Sequence, residues 1–182
     1  MKHSRLNTFL QVGAFALPGE SLDAALLEPL SGGDYTAGVA SASGMTGVAL
    51  AEVYDADAGT PTSRLINLSA RAFVGTAPNT LIVGFAIEGK DPETILIRGI
   101  GPGLAGFGVT GVLVNPQLSL ADSSGNQIAQ NSGWEGTAQL SALFTQVGAF
   151  ALESGSTDDA ILITLPRAPT RPSSAAQVGR RA

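Results

Sequence analysis

The sequence predicts an all-β chain, an antiparallel β-sandwich with one short helix, and three observations lead there. First, 23 glycines and 10 prolines punctuate the 182 residues, too many helix breakers for a bundle. Second, 44% of residues are apolar and only 14% charged, which calls for a packed core and not a disordered chain. Third, the apolar residues gather in short runs of β-branched and aromatic type bounded by Gly, Pro and Asn, the pattern of many short strands.

Taken in order, strands are expected at 34–41, 46–55, 64–74, 80–88, 93–100, 116–121 and 127–130, with short ones near 24–27 and 160–164. Asp122-Ser-Ser-Gly-Asn126 reads as a hairpin turn in which Gly125 takes a positive φ. The helical exception is 137–148, where Leu140, Leu143, Phe144 and Val147 recur on one face, together with its counterpart ending at Gly13.

That counterpart belongs to an internal repeat. Residues 9–30 read FLQVGAFALPGESLDAALLEPL and residues 144–165 read FTQVGAFALESGSTDDAILITL, with 13 identities in 22 positions at a constant offset of 135. Such self-similarity marks a tandem array. The expected organisation is therefore the C-terminal part of one copy at 9–55, a linker of turn formers at 56–63, and the N-terminal part of the next copy at 64–166. The second part is expected to pack with 9–55 as one sandwich in circularly permuted order. A domain-swapped homodimer is the alternative way to make the same pairing.

Residues 167–182 form a tail with four of the ten basic residues, three of whose 16 positions are occupied by Pro169, Pro172 and the lone large aliphatic Val178. It is expected to be disordered, because it cannot bury enough apolar surface to offset ordering entropy. Re-reading its codons from the third base of the Pro166 codon permits a match to Gly33, Tyr35, Thr36 and Ala37, so a frameshift in the gene or its assembly is expected to have ended the array.

The segments SRLINLSARAFVG, NTLIVGFAIEG, ETILIRGIGPGLAGFGV, NPQLSLADSSGNQIAQNSGW, QVGAFAL, DYTAGVAS and TGVALAEVYD cover most of residues 9–166. They resemble the tandem β-sandwich modules of large secreted or surface proteins of environmental Gram-negative bacteria. The turn-plus-Trp segment and the DYT strand are more loosely similar to the pre-peptidase C-terminal domains of secreted hydrolases. The resemblance implies export to the extracellular space or cell surface and a non-catalytic role, and it carries no catalytic residues over to this chain.

Several motifs invite chemistry, and each has a plainer reading. Gly101-Pro-Gly-Leu-Ala-Gly106 matches the dinucleotide fingerprint, with Asp122 placed like a ribose-binding acid, but the following residues up to Pro116 make a poor helix for holding a pyrophosphate. It reads as a Gly-rich connection between strands. Asp122, Ser124 and Asn126 offer oxygen ligands at alternate positions, as do Asp55 and Asp57, yet the distal glutamate of a calcium loop is absent and turn chemistry accounts for the residues. Trp134 caps the core more readily than it serves as a sugar platform. The neighbours Asp158 and Asp159 point to opposite faces of a strand and form no catalytic carboxylate pair.

With no cysteine and a single histidine, His3, thiol chemistry and zinc sites built on those residues are excluded. Lys2 and Arg5 ahead of Leu6 imitate a signal peptide, but Asn7, Thr8 and Gln11 interrupt the apolar region. No apolar run is long enough to span a bilayer, so no membrane insertion is expected. A net charge of −5 with sparse basic residues argues against nucleic acid, and Arg64, Arg71 and Arg98 read as outward-facing charges that protect strand edges.

These readings yield no catalytic, cofactor-binding or metal residues. They converge on a structural or adhesive module of an exported repeat protein, not an enzyme, with a surface glycan or protein as partner. The alternative is an accessory carbohydrate- or substrate-binding domain of a secreted hydrolase. Permuted packing makes a direct prediction: proteolytic cutting within 57–62 leaves two pieces that co-elute on size exclusion, whereas separate, independently folded halves would contradict it.

Overall fold

The computed structural model describes residues 8–9, 11–12, 14–15, 17, 21–42, 44, 46–56, 64–76, 79–87 and 90–166. The expected tail at 167–182, and all of the expected linker except Ala56, lie outside the described residues. Contacts divide the chain into two units, the first reaching Ala70 and the second beginning at Arg71.

In the second unit, the run Glu-Thr-Ile-Leu-Ile-Arg-Gly forms strand β1 (Glu93–Gly99), as its β-branched content favours. It pairs antiparallel with β4 (Asp159–Leu165), from Glu93 opposite Leu165 to Gly99 opposite Asp159. The exposed Thr94 and Thr164 hydroxyls meet across the pair at 2.8 Å. Between these strands in sequence come a 3-10 helix (Pro102–Phe107), strands β2 (Leu118–Ala121) and β3 (Gln127–Asn131), and helix α1 (Ala138–Gln146).

Strands β2 and β3 form an antiparallel hairpin whose register shifts between Leu120 and Ala121. Its turn is the expected one, with Gly125 at φ +83°. Helix α1 begins where the Thr137 side chain accepts from the Leu140 N–H at 3.3 Å. It ends in a Schellman motif: Gly148 at φ +72° lets its own N–H reach the Thr145 carbonyl and the Ala149 N–H reach the Phe144 carbonyl at 2.8 Å.

Alternation along β1 and β4 assigns Leu96 and Ala160 to one face, and that face meets the buried Trp134, Phe144 and Leu152, with Ile100, Leu140 and Ala149 packed around them. Trp134 stacks at a tilt on Phe144, centroids 5.4 Å apart, and its indole N–H donates to the Glu153 carbonyl. The hairpin packs on β4, and the Asn131 amide donates to the Ala160 carbonyl at 2.7 Å. Among the described residues this unit is thus sheet-dominated: two antiparallel two-stranded sheets and a short helix closing a small core.

In the first unit, residues 8–9 and 11–12 are helical, and the Ala14 N–H donates to the Phe9 carbonyl at 2.9 Å. That bond is the counterpart, 135 residues earlier, of the one from Ala149 to Phe144. Farther along, the Tyr35 hydroxyl donates to the Ser31 carbonyl and the Gln11 amide to the Ala56 carbonyl.

The strands expected near 24–27 and at 34–41, 46–55, 64–74 and 80–88 form no ladder among the described residues. Their apolar side chains, Val39, Val48, Phe73 and Ile82 among them, stand exposed. Side-chain alternation makes a segment ready for a sheet, but a strand exists only where a neighbour takes its backbone N–H and C=O groups. The β1, β4 and hairpin segments have such neighbours.

Because Phe144 is the largest fully buried apolar side chain, Phe144→Ala should cost about 3–5 kcal/mol. Urea unfolding followed by the fluorescence of Trp134, the single tryptophan, should show the midpoint fall sharply; an unmoved midpoint would disprove the core assignment.

Candidate functional site

The densest polar chemistry lies where the Gly-rich connection after β1 meets the start of β4. Leaving β1, the chain turns at Gly101, where an added Cβ would sit 2.0 Å from the Leu113 carbonyl oxygen. Pro102 then opens the 3-10 helix. The turn aims two backbone N–H groups at one carboxylate: Gly101 donates to Asp158 Oδ1 at 2.8 Å, and Gly103 donates to both Asp158 oxygens at 3.1 Å. The Ser156 hydroxyl adds a bond to Oδ2 at 2.8 Å. Asp158 is wholly buried. An anion cradle of the kind that holds phosphate in other proteins is therefore filled here by the chain's own aspartate. Gly103 is required by that closeness, since a Cβ would lie 3.0 Å from Asp158 Oδ2, whereas Gly106 faces open space.

Asp159, also wholly buried, turns the other way. Its carboxylate accepts from the Gly133 N–H and from the Leu118 backbone, while Oδ2 has no hydrogen-bond partner. Burial pushes its pKa up, the two backbone donors pull it down, and the neighbouring Asp158 charge raises it again; the balance is a raised value.

Arg98 corrects the expectation of an outward-facing charge. Opposite Ala160 on the core side of the β1–β4 pair, its guanidinium lies over the rings of Phe144 and Phe150, 4.5 and 4.4 Å from their centroids. The two rings replace water as its surroundings. Burial lowers its pKa, and the attraction of Asp158 partly restores it. Its Nε and Nη2 are buried without hydrogen-bond partners. Phe150 in turn meets Phe107 edge-on at 4.7 Å.

The other sequence candidates are absorbed by the fold. Asp122 Oδ1 accepts from the Ser124 and Asn126 N–H groups at 2.8 and 2.9 Å, and Oδ2 accepts from the Asn126 amide at 3.1 Å. These bonds, led by the Asn126 side chain, hold the Asp122 pKa below its ordinary value and build the turn. Trp134 is only 3% exposed, too little to serve as a sugar platform. Asp57 lies outside the described residues. Among the described residues, no three His, Cys, Asp or Glu side chains are grouped to hold a metal, and no helix is long and apolar enough to cross a membrane.

In the second unit an open groove of about 450 Å³ is bordered by β3, the start of α1 and β4. Gln130, Asn131, Glu135, Thr137 and Gln139 supply its polar lining. Glu135 at its lip takes a left-handed backbone, φ +65°.

Sequence reasoning missed the burial of Asp158, Asp159 and Arg98. A signal for Asp158 existed, since the repeat retains Ser and Asp at the paired positions Ser21/Asp23 and Ser156/Asp158. No known protein family, curated protein or solved structure matches the chain.

Two outcomes follow from this geometry. Gly103→Ala should push against the Asp158 carboxylate and destabilise the unit by about 1–3 kcal/mol, read from the urea midpoint; an unchanged midpoint would remove the cradle from the account. Asp159 has a native pKa above its ordinary 3.8, so its charge subtracts from stability at neutral pH. That penalty fades as pH falls through the raised native value and is gone below 3.8. Asp159→Asn should therefore be more stable than the parent at neutral pH, with the gap closing on acidification. The bonds to Asp122 act in the opposite sense, and their contribution is lost only below 3.8.

Proposed function

We propose that the chain is a non-catalytic structural or adhesive module of an exported repeat protein, located outside the cell or at its surface, where it spaces or presents other domains. The observation that carries this reading is that the two repeat copies share local geometry as well as sequence. The helix-closing bond recurs as Ala14 to Phe9 and Ala149 to Phe144. The Ser21 hydroxyl donates to Asp23 as Ser156 donates to Asp158. Recurrence of supporting contacts, more than of reactive groups, is what a modular array needs.

The polar groups buried in the second unit support the same reading. Asp158 closes a loop, Asp159 ties β4 to Gly133 and Leu118, and Arg98 fills space between rings. In the complete module we take the β1–β4 and β2–β3 pairs to be parts of the two sheets of an antiparallel sandwich.

The groove beside β3 favours the second reading, an accessory domain that binds carbohydrate or another substrate through Gln130, Glu135 and Gln139. Antibodies against the chain should label intact cells of the source organism; labelling only after permeabilisation would overturn the exported reading. A glycan array should give no signal for a purely structural module, and a signal abolished by Gln130→Ala with Gln139→Ala would transfer the assignment to the accessory domain.

A further inference from the structure

In the second unit, the segment from Ser156 to Leu165 anchors Asp158 under Gly101 and Gly103 and then runs along β1. Residues 21–30 are its copy at the offset of 135. Three of the four buried positions are retained or nearly so: Asp158 corresponds to Asp23, Ala160 to Ala25, and Ile161 to Leu26. Even the local preparation is present, because the Ser21 hydroxyl donates to Asp23 and the Asp23 N–H donates back to Ser21 Oγ at 2.9 Å.

The surroundings of this copy differ completely. Asp23 is exposed where Asp158 is wholly buried, and Leu22, Leu26, Leu27 and Leu30 stand exposed on a stretch with no ladder partner among the described residues. We propose that residues 21–30 are a docking strand for a second copy of this chain. Asp23 seats under the Gly101 and Gly103 N–H groups of that copy, and residues 24–30 run along its β1 in place of β4. This names a partner for the repeat module proposed above and rests on that reading.

The differences between the two copies fit a strand that exchanges. Ala24 stands where Asp159 is, so the incoming strand brings no second carboxylate with an unpartnered buried oxygen. Glu28 and Pro29 replace Ile163 and Thr164 near the strand's end, and the pair position of Thr164 is exposed; there a missing ladder N–H costs least. The resident segment holds the advantage of being tethered, equivalent to an effective concentration on the order of millimolar. Exchange is therefore favoured when the resident anchor is weakened or the chains are crowded. Reciprocal exchange closes a dimer, and one-way exchange extends a filament.

The absence of cysteine makes the test clean. A chain carrying Thr94→Cys is mixed with one carrying Pro29→Cys, the pair that would face each other in the docked register, with Thr94→Cys/Thr164→Cys in a single chain as the control for geometry. An interchain disulfide is expected under mild oxidation. It should rise when the Thr94→Cys chain also carries Asp158→Ala, and fall roughly tenfold when the Pro29→Cys chain carries Asp23→Ala, because the anchor is a set of charge-assisted hydrogen bonds. If the control closes and no interchain disulfide forms with or without Asp158→Ala, docking is overturned; so too if the yield ignores Asp23→Ala. Either failure leaves the exported-module reading to the cell-labelling experiment, which does not depend on docking.

Discussion

The Asp158 carboxylate under the Gly101 and Gly103 N–H groups organises the second unit. A carboxylate buried without partners would cost several kcal/mol, so its three donors are a condition of burial. Two of those donors come from one turn that is tight enough only because glycine occupies both positions, and the third is the Ser156 hydroxyl. The turn in turn fixes where β1 ends and where the 3-10 helix starts, while Asp158 fixes where β4 begins. One polar contact thus sets the register of the main strand pair from its closed end.

The apolar core is built beside this contact. With β4 anchored, Ala160 lies against Phe144 and Trp134, and the small side chain leaves room on the opposite strand for Arg98 to extend over Phe144 and Phe150. Asp159, one residue on, faces the other side and holds the hairpin through Leu118 and Gly133. The two adjacent aspartates therefore divide the work of the β4 start: one closes the loop and the other attaches the second sheet. The second does so at a cost, because one of its oxygens is left without a partner.

Elements whose partners lie within one unit were legible from local pattern. The β-branched run of β1, the Asp-Ser-Ser-Gly-Asn turn and the apolar face of α1 each carry their own signal, and each forms within a residue or two of its expected bounds. The stretches around Tyr35, Val48, Phe73 and Ile82 carry an alternation of their own and form no ladder among the described residues, because alternation describes one strand's faces and says nothing of who takes its hydrogen bonds. At the candidate site, the G-x-G-x-x-G motif was legible as a Gly-rich connection between strands, and the structure turns two of its backbone donors onto one anion. The identity of that anion was not legible. Asp158 is 55 residues from Gly103, and only its recurrence as Asp23 hinted that it is a constrained position. Arg98 was misread because a single charge in a strand is ordinarily solvated; two phenylalanine rings, distant in sequence, supply the environment that makes its burial tolerable.

The central claim, that a Gly-rich loop is closed by the chain's own carboxylate, concerns two amide protons that can be observed one by one. Hydrogen exchange measured by NMR on the full chain should show the Gly101 and Gly103 amides protected to the level of the β1–β4 ladder, with that protection lost in Asp158→Ala. Free exchange of both amides in the unmodified chain, at the rate of an unstructured glycine, would contradict the account.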